Sequence, residues 1–152
     1  MRRKEKEIRE RAAIERIILQ SSVCRLAFSD DNCPYIVPLC FGYKNNALYF
    51  HTAREGEKLR ILKKNNRVCF EFDILRELVK SEEPCGWGMK YMSVVGFGRA
   101  SLIEDLESKK RALNIIVQQY SGTSFTYNRN AVHKAAIIKV EIEHMTGKSS
   151  RL

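Results

Sequence analysis

The stretch "YMSVVGFGRASLIE", residues 91–104, alternates over more positions than an ordinary strand and sets Gly96 and Gly98 on one face. Two glycines so placed permit strong curvature or the close approach of another backbone, as the wall of a barrel requires. "RVCFEFD" repeats the signal, with Val68, Phe70 and Phe72 on one side and Cys69, Glu71 and Asp73 on the other. Upstream, "SVCRLAFSDDNCPYIVPLCFGYKNNALYFH" reads as three strands joined by the turns "SDDNCP" and "YKNN", and connections that short predict an antiparallel meander. Pro38 has no N–H for a ladder, so it marks an edge, a bulge, or a segment facing something other than a strand. "AAIIKVEIEHMTGK" supplies a last strand.

Three helices complete the pattern. Residues 3 to about 20 carry a loose stripe of Ile8, Ala12, Ile14, Ile17 and Ile18 among alternating charges, a solvated face with i,i+4 pairs. A short helix follows Gly56 and docks through Leu59, Ile61 and Leu62. Asp105 caps a third, reaching about Tyr120, with Leu106, Leu113, Ile116, Val117 and Tyr120 along one face. Residues 74–90, with "SEEPCGWGMK", read as a loop or surface patch, and "SGTSFTYNRNAVHK" as a loop. About six strands and three helices without βαβα alternation place the chain in the α+β, mainly β, class. The expected form is a closed or nearly closed antiparallel barrel with helices packed outside. At 152 residues it forms one domain, 1–152, beginning with the helix at 1–20, and shows no internal repeat.

Hydrophobic residues make up 44% of the chain, enough for a core. No apolar run approaches the ~20 residues of a membrane helix. The charged start "MRRKEKEIRERAAIERIILQSS" is unlike a signal peptide, so the expectation is a cytoplasmic protein without a membrane partner. Cys24, Cys33, Cys40, Cys69 and Cys85 are odd in number, irregularly spaced and without CxxC, which predicts reduced thiols and no metal site. A formal charge of +9 favours an anionic partner, nucleic acid or a phosphorylated small molecule. No nucleic-acid reader motif is present, so nucleic acid is not expected.

Within "LYFHTAREGEKLRIL", residues 48–62, a strand ends in His51 and Thr52, Gly56 relaxes the turn, and Glu57–Lys58 opens a helix. The start of a helix offers free N–H groups and partial positive charge, Thr52 a hydroxyl and Lys58 an ammonium. That combination suits a phosphate, and it also describes an ordinary strand-to-helix turn.

The motifs "P-Y-x-V-P-x-x-F-x-Y", "L-Y-F-H-x-A-x-x-G-x-K" and "Y-x-S-V-x-x-x-G-R-A" occur in that order at residues 34–43, 48–58 and 91–100, with "VEIEHMTGK" closing the pattern. With them the chain, from about residue 10, resembles the FMN-binding split-barrel superfamily of pyridoxamine 5′-phosphate oxidase, and more closely its branch of 5-nitroimidazole-resistance proteins. The resemblance implies a split barrel, a homodimer, and FMN in a groove between two subunits. It sets Val37, Pro38, Leu39 and Cys40 beside the isoalloxazine, His51 and Thr52 near the ribityl and phosphate, and Lys58 on the phosphate. Ser93 and Val94, on the neighbouring strand, complete the pocket. The implied activity is flavin-dependent reduction or oxidation of a small flat molecule. Vitamin B6 oxidation is not implied, because substrate-phosphate residues of the longer oxidases have no counterpart here. His51 is either a proton donor or a positioning residue; His133 and His144 read as surface or structural. Trp87 and Tyr91 suit an aromatic substrate or flavin cover, or equally a dimer contact. Lys148 is a cofactor contact or a solvated tail residue. The rival reading is a non-enzymatic binder of flavin or haem on the same fold.

Overall fold

The computed structural model describes residues 4–151. After a 3₁₀ turn at Lys4–Lys6 the elements run β1 (Glu7–Ile8), α1 (Arg11–Gln20), β2 (Cys24–Asp30), β3 (Cys33–Leu39), β4 (Gly42–Lys44) and β5 (Ala47–Thr52). Then follow α2 (Glu57–Lys64), β6 (Arg67–Val79), β7 (Gly88–Leu102), α3 (Leu106–Ser121), α4 (Arg129–Lys134) and β8 (Ala136–Ser150). The expected turns carry two hairpins. Asp31 and Asn32 (φ 45° and 67°) join β2 to β3, and Asn45 and Asn46 (φ 51° and 59°) join β4 to β5. Positive φ at both central residues is the geometry whose twist matches a hairpin, and Asn and Asp tolerate it.

All strands are antiparallel, in the order β3-β2-β6-β7-β8-β5-β4, with β1 added to β8. β3 and β4 stand at opposite ends of that path, yet only Cys40 and Phe41 separate them in the chain. A link that short spans on the order of 10 Å. The sheet must therefore curl until its two edges meet at this corner, where β3 and β4 remain unpaired. The result is the split barrel expected from the resemblance.

The predicted second strand, 35–43, is thus two strands, and the meander breaks between them. Phe41 is fully buried, and its N–H is donated to the Tyr120 hydroxyl at 2.9 Å instead of to a strand. Gly42 lies directly beneath α3, where a Cβ would stand 2.6 Å from the Ile115 carbonyl carbon. This break and the two-residue β1 bring the strands among the described residues to eight. Pro38 sits on the edge strand, where a missing N–H is tolerated.

α1 is shorter than the expected helix because Ile8 pairs with Gly147 in β1; residues 1–3 of that expectation, and residue 152 of the domain, lie outside the described residues. Its Ile14, Ile17 and Ile18 enter the barrel core with Leu26, Phe50, Phe70, Phe72 and Val140, and Arg11 and Glu15 form an i,i+4 pair on the solvent side. β6 continues through a segment expected to be irregular, with a bulge between Ile74 and Glu77 and Leu75 at φ 55°. Both glycines of β7 are close approaches: a Cβ would lie 2.2 Å from the Phe70 ring at Gly96 and 2.3 Å from the Glu141 carbonyl at Gly98. A second bulge, where Glu143 has no partner between Phe97 and Gly98, bends β8 around them.

α3 packs outside the barrel on β4 and β5, with Ala112 and Leu113 against Ile137 and Tyr49. Asp105 caps it as expected, accepting from the Ser108 N–H at 2.8 Å, and Gly122 ends it at φ 67°. Its buried residues are Lys109, Ala112 and Ile116, with Leu113 and Val117 half-buried. The face is rotated from the predicted one because the Lys109 ammonium finds the Ala135 carbonyl at 3.1 Å and so can be buried. Within the expected loop, Asn128 caps the short α4 by accepting from the Asn130 N–H at 2.8 Å. All five cysteines are free; Cys24 is in the core and Cys33, Cys40 and Cys85 are exposed.

Candidate functional site

The split in the barrel forms the candidate site. Gly42 and Tyr49 are the last pair of the β4–β5 ladder. Beyond it, Cys40 and His51 lie on two segments that diverge, one toward β3 and the other toward α2. The topology therefore brings Val37–Cys40 and His51–Thr52 to the same end of the barrel. Among the described residues β3 pairs only with β2, so every second residue turns backbone N–H and C=O groups outward with no strand there to receive them. Pro38 and Cys40 are exposed along this edge, whereas Val37 and Leu39 pack against the core. Tyr120 anchors the corner: its hydroxyl accepts from the Phe41 N–H and donates to the Ser22 carbonyl at 3.0 Å. Burial raises the Tyr120 phenol to about 12, with the adjacent Cys40 thiol adding to the rise. Sequence reasoning placed Tyr120 on a helix face and missed this role, since a partner 79 positions away leaves no local signal.

Across the cleft, His51 is exposed on the outer side of β5, opposite Ile137, and Thr52 is buried opposite Ala136. Neither side chain has a hydrogen-bond partner among the described residues. The chain then turns through Gly56, whose φ of 127° is a conformation that side-chain-bearing residues rarely adopt, although space for a Cβ is open there. The Gly56 carbonyl accepts from Leu59 and Arg60 as α2 begins, leaving the N–H groups of Glu57 and Lys58 without backbone acceptors among the described residues. Lys58 is half-buried, and its ammonium meets no carboxylate among the described residues.

Two acids near this turn, Glu57 and Asp30, are already occupied. Arg60 binds both Glu57 and Asp30, and Lys64 adds a 3.2 Å contact to Asp30. These cations hold both carboxyls below their usual range, by hydrogen bonding first. With Glu57 and Asp30 turned to Arg60, Lys58 and the free amides present uncompensated positive charge, which is the chemistry of an anion site.

Ser93 and Val94 are not brought to this cleft within one chain. β7 is separated from β3 by β2 and β6, and from β5 by β8. Val94 is fully buried in the core, and Ser93 lies on the outer face opposite Asp73 and Lys148. That outer face exposes Ile36, Val95 and Phe97, beside Arg25 clasping Glu71 at 2.8 Å and Asp73 at 2.5 Å. Trp87 is exposed at the hairpin tip, and Lys148 donates to the Tyr91 hydroxyl at 2.7 Å, a bond that sequence spacing alone does not reveal. His133 and His144 are exposed, as expected of surface residues.

A cavity of about 920 Å³ lies elsewhere, between α3 and the β4–β5 hairpin, and none of the predicted site residues lines it. Of its cations, Lys139 pairs with Glu141 and Arg111 donates to the Ser108 hydroxyl, while Glu104 and Asp105 add negative charge to the lining. Among the described residues, no group of three or more His, Cys, Asp or Glu converges as a metal site. Among them too, no helix is long and apolar enough to cross a membrane.

A family model described as pyridoxamine 5′-phosphate oxidase matches residues 10–149. Among solved structures, the chain is 38% identical to one described as a 5-nitroimidazole antibiotic resistance protein from Bacteroides thetaiotaomicron, over 94% of this chain and 86% of that one, with a TM-score of 0.85. It also superposes on an FAD and heme binding protein from Mycobacterium smegmatis, at 18% identity, 97% and 74% coverage and a TM-score of 0.86. A flavocytochrome from Azotobacter vinelandii aligns at 17% identity, 100% and 72% coverage and a TM-score of 0.84. At those two identities the likeness is one of fold. No curated protein matches the chain.

Proposed function

Because the chain belongs to the pyridoxamine 5′-phosphate oxidase family, we propose that it binds FMN in the cleft between β3 and the β5–α2 turn and reduces or oxidises a small flat molecule there. The observation that carries this reading is the uncompensated Lys58 ammonium beside the free amides of α2, with the Thr52 hydroxyl at the preceding strand end. A dianionic phosphate needs such charge-assisted donors, and the four residues 53–56 carry the chain from the end of β5 to them. The residues fit the group. The outward backbone of β3 offers donors and acceptors for the polar edge of an isoalloxazine, and Pro38 withholds one N–H from it.

A bound flavin supplies the redox step, by hydride or electron transfer. The chain itself binds and orients: Lys58 and the α2 amides fix the phosphate, Thr52 and His51 line the ribityl path, and β3 holds the ring's edge. Homodimerisation belongs to the same reading. The exposed Ile36, Val95 and Phe97 form an apolar face on the sheet, and Ser93 reaches a flavin only if that face meets a second copy. The test is the absorption spectrum and mass of the purified protein. The expectation is the flavin spectrum, release of FMN on denaturation, and a mass near twice 17.6 kDa. A haem spectrum, or a colourless protein that takes up no added flavin, overturns the reading.

A further inference from the structure

Four polar side chains gather on the outer face where β7 meets β8. Tyr91 lies opposite Ser150 and Ser93 opposite Lys148, so all four share one face. Ser93 and Ser150 are buried, and Tyr91 and Lys148 half-buried. Lys148 Nζ donates to the Tyr91 hydroxyl at 2.7 Å and has no carboxylate partner among the described residues. It sits 5.2 Å from the ring centroid. A phenol oxygen that accepts from an ammonium keeps its own proton to donate, and the phenolate left behind is stabilised. The Lys148 bond draws the Tyr91 phenol below its ordinary range, with Ser150 and the more distant Lys6 adding to the effect. The other charges facing the group are compensated: Glu7 binds Arg9, and Asp73 and Glu71 on β6 bind Arg25.

A second feature points to the same residue. On the β6 side, Met92 pairs with Ile74 and Lys90 with Glu77, so Tyr91 stands opposite the bulge with no partner in register. The bulge holds Leu75 at φ 55° although Leu75 is exposed and gains no burial from it. Strain kept without packing benefit, in a bulge that re-aims the strand, is a mark of a functional position. Met89, exposed and two residues before Tyr91 in β7, adds an apolar side chain to the same face.

We propose that Tyr91, held by Lys148, is the proton donor to the molecule reduced in the cleft of a second copy of this chain. The inference rests on the flavin reading above. Tyr91 lies two residues from Ser93 on the same face, about 6.6 Å along the strand, so a Ser93 that completes the partner subunit's pocket brings Tyr91 with it. The substrate class is a conjugated, electron-poor acceptor. It takes a hydride from reduced flavin; its developing negative charge, on oxygen or nitrogen, takes the proton as the Tyr91 O–H bond breaks. Lys148 holds the phenolate until solvent returns the proton.

Tyr91→Phe, Lys148→Met and Lys148→Arg test this with two readouts. In alkaline ultraviolet difference titration of the apo-protein, Lys148→Met moves one phenol to higher pH and Lys148→Arg restores it. In flavin-loaded protein whose flavin has first been reduced with dithionite, Tyr91→Phe lowers the single-turnover reduction of a nitroaromatic probe by about 10²-fold while flavin affinity stays within about twofold. The fall in rate at high pH shifts upward in Lys148→Met. A Tyr91→Phe protein with wild-type rate and pH profile overturns the proposal, as does a phenol titration indifferent to Lys148. A flavin-loaded wild type that reduces no such acceptor overturns the proton-donor role and leaves flavin binding standing. A wild type that binds no flavin overturns both.

Discussion

Gly42→Ala is the sharpest test of how the cleft is built. The new Cβ would stand 2.6 Å from the Ile115 carbonyl carbon and 2.7 Å from both the Ile115 oxygen and the Ile116 nitrogen. Ordinary contact begins at 3.4 Å, so the shortfall is about 0.8 Å, and all three atoms are backbone in the middle of α3. No side chain can rotate away. Either α3 shifts outward, loosening Ala112 and Ile116, or β4 moves and pulls Phe41 from the Tyr120 hydroxyl. Overpacking of this kind costs about 1–3 kcal/mol, and losing the Phe41–Tyr120 bond adds on the order of 1 kcal/mol. Together they predict a loss of about 2–4 kcal/mol, a fall in Tm of roughly 4–16 °C for a chain of this length. Denaturant unfolding of apo-protein at fixed concentration measures it, with Gly122→Ala as a comparison in which nothing lies within 4 Å and the φ of +67° is the sole penalty. A Gly42→Ala protein within about 0.5 kcal/mol of wild type would refute the argument that α3 bears directly on the β3–β4 corner.

Three further outcomes follow from the site. Lys58→Ala should weaken FMN by about 1.5–3 kcal/mol, roughly 10- to 150-fold, with riboflavin affinity unchanged; calorimetric titration that finds wild-type FMN affinity removes Lys58 from the phosphate. His51→Ala should lower FMN binding but keep the single-turnover rate at full occupancy, because the exposed His51 has no group to orient it among the described residues; a large rate loss in fully loaded protein would make it the proton donor instead. Tyr120 is raised to about 12 in the fold, so its contribution is complete below the ordinary phenol range near 10 and is lost as pH rises through about 12. Tyr120→Phe should therefore be less stable by about 1–3 kcal/mol at neutral pH and lose less between pH 10 and 12; parallel stability curves for the two proteins across that window would count against the anchor.

Local pattern was enough for much of the fold. Alternation at Val68, Phe70 and Phe72, the Asp105 cap and the paired glycines of β7 each depend on neighbours in sequence, and each is where the pattern put it. The break at Cys40–Phe41 was not legible. It depends on Tyr120 and Ile115 arriving from α3, more than 70 positions away, and the run "YIVPLCFGY" alternates straight through it. The extension of β6 to Val79 was hidden because its bulge interrupts the two-residue period at Leu75. The candidate site divides the same way. Thr52, Gly56 and Lys58 fall within seven residues and could be read as a phosphate seam, whereas the Tyr91–Lys148 bond joins residues 57 positions apart.

The central claim, a phosphate-holding cleft for FMN, is tested most directly by titrating apo-protein with FMN and with riboflavin and following quenching of flavin fluorescence. The phosphate is the only difference between the two ligands, and Lys58 and the α2 amides, with the Thr52 hydroxyl beside them, are the groups that would receive it. The account predicts one FMN per chain, bound at least about tenfold more tightly than riboflavin, as a single charge-assisted contact of about 1.5 kcal/mol requires. Equal affinities would contradict it.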